Sequence, residues 1–220
     1  MLTLQIAGPP APETLNEDQL ARRQRIIRVA LQSLARSDYE DIKINDLARD
    51  SSVALGTLYR YFASKEHLLA VAFIEWQSVL KMKLDKFVPA GATEAERLSE
   101  IFRQVISAFE QQPRFFRFMT ILHATTDPYA AAISNSTQAV FTRTVEGTLG
   151  GPLSTDQYAI VRTVSAVFDH SMRNWIMKRM AIDNVYEQVD TVIRLIYHYH
   201  PEARPRVSST SSLPAPTEGN

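Results

Sequence analysis

The residues best suited to chemistry lie close together. Leu55-Gly56-Thr57-Leu58-Tyr59-Arg60-Tyr61-Phe62, followed by Ser64-Lys65, gathers hydroxyl, phenol, guanidinium and ammonium groups in one short stretch. Thr57 can hydrogen-bond a base edge or a phosphate, and its methyl can touch a thymine methyl. Tyr59, Arg60, Tyr61 and Lys65 are donors suited to phosphate. Gly56 lets another backbone approach closely, and Leu55 opens the stretch. Leu58 and Phe62, four apart, are expected to face inward with Ile44 and Leu47. Lys43, and Arg25 from the run Arg22, Arg23, Arg25 and Arg28, are further phosphate candidates; the arginine run equally suits a solvated helix face. The chemistry these groups support is binding to double-stranded DNA.

Catalysis lacks its parts. The 220-residue chain has no cysteine, which removes thiol nucleophiles, iron–sulfur clusters and Cys-ligated zinc. Only seven glycines occur, with no Gly-x-Gly or Gly-Lys-Ser/Thr pattern to cradle a phosphate. No serine sits in a Gly-x-Ser-x-Gly elbow. The five histidines, 67, 123, 170, 198 and 200, show no metal-site spacing, so neither metal nor cofactor is expected. The absence of cysteine, together with no signal peptide, fits a reducing cytoplasm, and no run approaches the ~18 to 20 apolar residues of a membrane span, so no membrane partner is expected. The net charge is zero, but residues 20–65 hold nine basic and five acidic residues, a local excess of four that falls on the DNA-binding candidates.

The elements that must position these groups are helical throughout. Ile27, Ala30, Leu31 and Leu34 form a stripe in a helix over about 18–36, and Ile44, Leu47 and Ala48 mark a second. A turn at Ser51 to Ala54 separates it from a third at Leu55 to Phe62, giving helix-turn-helix proportions. In such a unit the later helix enters the major groove. Ser64 is placed to cap a long fourth helix, over about 65–86. Thr93 with Glu96, Pro113, Asp127-Pro128, Ser154 with Gln157, and Asn184 with Glu187 mark five further starts. The prediction is an all-α fold of nine helices: a disordered leader over 1–17, a DNA-binding domain over 18–65, a ligand-binding and dimerisation domain over 66–200, and a disordered tail over 201–220.

Lys43 to Leu69 closely resembles the DNA-binding signature of the TetR family of transcriptional regulators, most densely in Gly56-Thr57-Leu58-Tyr59-Arg60-Tyr61-Phe62 and Ser64-Lys65-Glu66-x-Leu68-Leu69. The resemblance implies that Thr57, Tyr59 and Tyr61 meet DNA and that Lys65 holds a phosphate at the start of the fourth helix. Two positions depart from the pattern: Lys43 stands where Ser or Thr is usual, and Ser52 where the turn usually has Gly. More loosely, Val53 to Thr57, Gly91-Ala92-Thr93, Asp156-Gln157-Tyr158, Asn174-Trp175 and Asp190-x-x-x-Arg194-Leu195 resemble the actinobacterial repressors of sterol and lipid catabolism. That subgroup's inducers are CoA thioesters of sterol-derived acids.

A regulator of this kind needs a cavity for a small apolar effector, and the bulkiest apolar part of the chain is the expected place. Its candidates are Phe102, Phe109, Phe115, Phe118, Met119, Leu122, Tyr129, Phe141 and Val167, with His123, His170, Ser171 and Asn174 to orient a ligand; ordinary packing is the competing reading for each. The helix over 155–180 is apolar on two faces, and the last helix carries a stripe of its own. Val161, Phe168, Met172 and Trp175 with Val189, Val192, Ile193 and Ile196 are the expected homodimer interface. The whole reads as a homodimeric repressor on a near-palindromic operator, half-sites ~34 Å or a multiple of it apart. An effector that is an unrelated apolar compound or drug, an all-helical enzyme on acyl substrates, and a helical adaptor are the alternatives.

Overall fold

A computed structural model of the chain describes residues 8–199, with the backbone alone at 135–140 and 148. Among the described residues there are nine α-helices, two short 3-10 turns and no strand. The helices are α1 (Glu17–Arg36), α2 (Ile44–Asp50), α3 (Leu55–Tyr61), α4 (Lys65–Lys86), α5 (Glu94–Gln111), α6 (Pro113–His123), α7 (Pro128–Leu149), α8 (Thr155–Ile176) and α9 (Ile182–Tyr199). None is long and apolar enough to cross a membrane.

Most starts follow from side chains that satisfy free N–H groups of the first turn. Ser64 accepts from the His67 amide, and Asp127 from the Ala130 amide just ahead of Pro128. Reciprocal capping boxes form at Thr93 with Glu96 and at Ser154 with Gln157. A third, Asn16 with Gln19, starts α1 one residue before its expected position. The last helix departs from expectation: α9 begins at Ile182, so Asn184 lies inside its first turn. The Lys178 backbone turns the chain there, with φ of 58° after the end of α8.

The leader is also more ordered than expected over residues 8–16. Pro12–Thr14 is a 3-10 turn tied by the Thr14 hydroxyl to the Ala11 carbonyl. Three nearby prolines remove much of the chain's freedom before folding. Gly8 lies against Tyr129 so closely that a Cβ would stand 2.5 Å from the phenol oxygen. The expected disordered tail over 201–220, and residues 1–7 of the leader, lie outside the described residues.

α1, α2 and α3 form a small head around Ile26, Ile27, Leu34, Leu47, Leu58 and Phe62. α4 leaves the head and runs into the body, packing on α1 at one end and along α7. An aromatic core fills the body: Trp76 stacks on Phe115 at 4.7 Å, and Phe109 meets Phe116 edge-on at 5.3 Å. α8 packs on α9, and α9 on α5. The buried Glu94 ties those three together, accepting from the Tyr197 hydroxyl at 2.6 Å and the Gln157 amide at 3.0 Å. With both hydrogen bonds made and the α5 N-terminus behind it, the enclosed carboxylate is compensated.

Candidate nucleic-acid interface and ligand cavity

The turn before α3 is held from within and from α1. The buried Ser51 hydroxyl donates to the Leu47 carbonyl at 2.6 Å, and Arg25 Nε donates to the Ser51 carbonyl at 2.8 Å. Arg25 therefore anchors the turn, leaving only the rest of its guanidinium for a phosphate. Ser52 takes the left-handed conformation, with φ of 54°, so the turn forms without the usual glycine at the cost of a strained serine.

α3 then presents Leu55, Gly56, Tyr59 and Arg60 to solvent, with Thr57 half-buried beside them. Tyr59 is 46% exposed. Lys43 is exposed at the start of α2, and neither it nor Arg60 is engaged in an ion pair among the described residues. Beyond its chain neighbours and the backbone of its own helix, no atom lies within 4 Å of where a Cβ on Gly56 would stand, so this face is open to a close-approaching surface.

Tyr61 is a correction. It is 2% exposed, three positions on from Leu58, and turns with Leu58 and Phe62 into the head core. Its ring belongs to the packing of the reading helix, not to its exposed face. Lys65 is half-buried: its Nζ donates to the Tyr39 carbonyl at 2.6 Å and sits 4.0 Å from the Tyr39 ring centre. Burial lowers its pKa, while nearby Glu66, Glu40 and Asp41 oppose the shift. Two of its three N–H donors remain for a phosphate. The Tyr39 hydroxyl donates to Glu66, and burial with that bond holds the phenol well above its ordinary pKa.

In the body, a cavity of about 410 Å³ opens between α4, α5, α6, α7 and α8. That lies within the usual range for small-molecule sites, roughly 300–1,000 Å³. Of the expected ligand residues it takes Phe109, Met119, His123 and Phe141. Phe168, expected at the dimer interface, lines it as well. The other expected ligand residues lie elsewhere. Phe102, Phe115, Phe118 and Leu122 are buried and spent on packing, Phe115 between Trp76 and Phe73, Phe118 against Phe73 and Tyr39. Tyr129 stacks on His67 at 5.2 Å, at the junction of head and body. Ser171 is buried and donates to the Gln188 side chain at 2.6 Å. Asn174 donates to the His170 carbonyl on a different face of α8, and Val167 does not reach the cavity.

Sequence reasoning missed the wall supplied by α4, namely Gln77, Leu80, Lys81 and Leu84. Their three-and-four spacing was a usable signal. It also missed Arg162 and Asp169 on α8, where Asp169 is the one acid between Val161 and Trp175. Burial lowers the His123 pKa; Asp169 raises it and Arg173 lowers it further. Among the described residues no group of three or more His, Asp or Glu is placed to hold a metal.

The expected dimer residues divide. Val161, Met172, Val189 and Ile193 are buried inside the subunit, because the apolar faces they occupy pack α8 and α9 on each other and on the body. Trp175, Val192 and Ile196 are only partly buried. The outward faces instead carry Ala159, Thr163 and His170 on α8, and Leu195 and Tyr199 on α9.

Known proteins share this plan. Residues 26–72, the head and the start of α4, match the model of bacterial regulatory proteins, tetR family. The HTH-type transcriptional repressor KstR of Mycolicibacterium smegmatis is 30% identical over 82% of this chain and 89% of its own length. KstR of Mycobacterium tuberculosis is 29% identical over 88% of each. Among solved structures, the transcriptional regulator FadR of Bacillus subtilis in complex with stearoyl-CoA superimposes with a TM-score of 0.60, at 18% identity, over 79% of this chain and 96% of its own.

Proposed function

The chain belongs to the TetR family of bacterial regulatory proteins, a transcriptional regulator and not an enzyme, and from that premise we propose that it is a ligand-responsive repressor. It acts as a homodimer on a near-palindromic operator. The observation that carries this reading is the open face of α3, where Gly56, Tyr59 and Arg60 stand exposed above a closed head core. Tyr59, Arg60, Thr57 and Lys43 make the DNA contacts, with Lys65 and the free end of Arg25 on phosphates. Leu55 offers apolar surface to a thymine methyl.

The effector enters the body cavity. An apolar compound fits its wall, and the exposed Arg162 suits an anionic group. CoA thioesters of lipid or sterol acids meet both demands, in keeping with the relatives named KstR and with the stearoyl-CoA held by FadR. α6 joins the two functions: Met119 and His123 line the cavity, while Arg114 and Arg117 pair with Asp38 of the head at 3.3 and 3.0 Å. The effector releases DNA by binding better to the head arrangement that fits the duplex worse. The dimer forms through the outward faces of α8 and α9, around Ala159, Thr163, His170 and Leu195.

Footprinting of the purified protein on genomic DNA identifies the operator, and mobility shift on that fragment tests the reading. Tyr59→Ala and Arg60→Ala are expected to weaken binding, and Lys65→Ala to lower the salt slope by about one. Operator affinity unchanged in both α3 variants overturns the assignment.

A further inference from the structure

A second cavity, of about 370 Å³, lies between α4 and α5 and differs in chemistry from the apolar one. α4 lines it at three- and four-residue steps with Trp76, Val79, Leu80, Lys83 and Lys86, and Phe87 follows. α5 answers at the same steps with Gln104, Ser107, Ala108 and Gln111, and Gln112 comes next. Two ammonium groups and three carboxamides therefore line this groove, and no carboxylate does. Lys83 and Lys86 are exposed and form no ion pair among the described residues. Lys81, on the side of the apolar cavity, is by contrast paired with Asp85 at 2.5 Å. Of the three glutamine side chains only that of Gln111 is engaged among the described residues, donating to the Ser107 hydroxyl at 3.3 Å.

We propose that this groove is a second ligand site, for a phosphorylated heteroaromatic of the nucleoside monophosphate class. The two helices set its ends. α5 runs back along α4 after the connection over 87–93, and Trp76 packs on Phe109 at 5.0 Å. Gln104 thus lies toward Lys83 and Lys86, and Gln111 and Gln112 lie toward Trp76. The two lysines are three residues apart on one face, so both reach one phosphate. Seven residues separate Trp76 from Lys83, a rise of about 10.5 Å along α4. A ring system that far from the phosphate meets the Gln111 and Gln112 carboxamides, which supply both donors and acceptors for its edge. Leu80 and Leu84 belong to the linings of both cavities and so form the partition between them. The groove ligand is accordingly a molecule separate from the one in the apolar cavity. A ligand on either side takes up the space into which these leucines would yield, so the two ligands oppose each other, reciprocally. That opposition rests on the reading of the apolar cavity as the effector site; the groove assignment does not.

The test titrates the full-length protein with adenosine 5′-monophosphate in a calorimeter. Adenosine and inorganic phosphate, each lacking half of the ligand, are expected to bind at least about tenfold more weakly. The double variant Lys83→Gln with Lys86→Gln is expected to lose at least about tenfold in affinity for the nucleotide. Both side chains are exposed, so its thermal melt without ligand should match that of the unsubstituted protein. No binding of the nucleotide, equal binding of adenosine, or binding that survives in the double variant overturns the groove site. Nile red then reports on the apolar cavity. Saturating nucleotide is expected to weaken dye binding several-fold and to a plateau, a limit that competition for one site does not show. Weakening that grows without limit means that both occupy one cavity and overturns the proposal. Dye binding that ignores the nucleotide overturns the opposition and leaves the groove site. Absence of dye binding overturns the reading of the apolar cavity instead.

Discussion

Gly56 sits in the first turn of α3, where an alanine methyl would meet nothing within 4 Å beyond its chain neighbours and the backbone of its own helix. Glycine in a helix costs roughly 0.5–1 kcal/mol relative to alanine, so Gly56→Ala should stabilise the head by up to about that amount. If the open space is where the duplex approaches, the same methyl should weaken operator binding. Opposite signs in a urea melt and a mobility shift are the expected outcome; stronger DNA binding together with higher stability would remove Gly56 from the interface. At this scale the exposed DNA-binding candidates were legible because their types are costly to bury. Tyr61 was not. Its phenol reads as a donor in the sequence, and only the three-residue step from Leu58 turns it inward.

α6 is eleven residues long and serves the cavity and the head at once. Phe118 packs on Tyr39 of the head at 5.9 Å, one position before Met119 on the cavity wall. Arg114 and Arg117 hold Asp38, and both pairs are substantially exposed. Exposed pairs contribute little stability, roughly 0–1 kcal/mol. Asp38→Ala should therefore lower stability by less than about 1 kcal/mol while reducing the ratio of operator affinities without and with effector. Measuring that ratio by fluorescence anisotropy checks it; an unchanged ratio means that α6 does not transmit through Asp38. Helix starts were legible wherever a side chain caps them, as at Thr93 and Ser154. The start of α9 was not, because the left-handed Lys178 ends α8 early and Asn184 falls inside the next helix. The faces of α8 were misassigned for a related reason. Periodicity shows that two faces are apolar, but not which one the subunit keeps for itself.

Assembly and pH response belong to the whole molecule. Leu195, 47% exposed on α9, lies on the outward face where a second copy would pack. Leu195→Glu should leave the melt of the subunit nearly unchanged yet shift sedimentation toward the monomer, whereas a dimer of undiminished strength would move the interface elsewhere.

The junction of head and body also depends on a neutral histidine. His67 Nδ1 accepts from the Ala63 amide at 3.1 Å, its ring stacks on Tyr129, and it meets Phe62 edge-on at 5.7 Å. A protonated Nδ1 cannot accept, and burial already lowers the pKa; Asp127 opposes that shift and Arg23 adds to it. His123 in the cavity is lowered too. For both, the folded state binds its proton less tightly than the unfolded chain, so stability rises with pH across the window below the ordinary histidine value of about 6.5. The contribution is complete above that value and is lost as pH falls through it. The urea midpoint should accordingly drop between pH 7 and 5.5, where ordinary carboxylates are still ionised. In His67→Gln the drop should shrink, because one of the two groups no longer titrates. A slope identical to that of the unsubstituted protein would mean that His67 keeps an ordinary pKa, and that the neutral ring is not what joins α4 to α7.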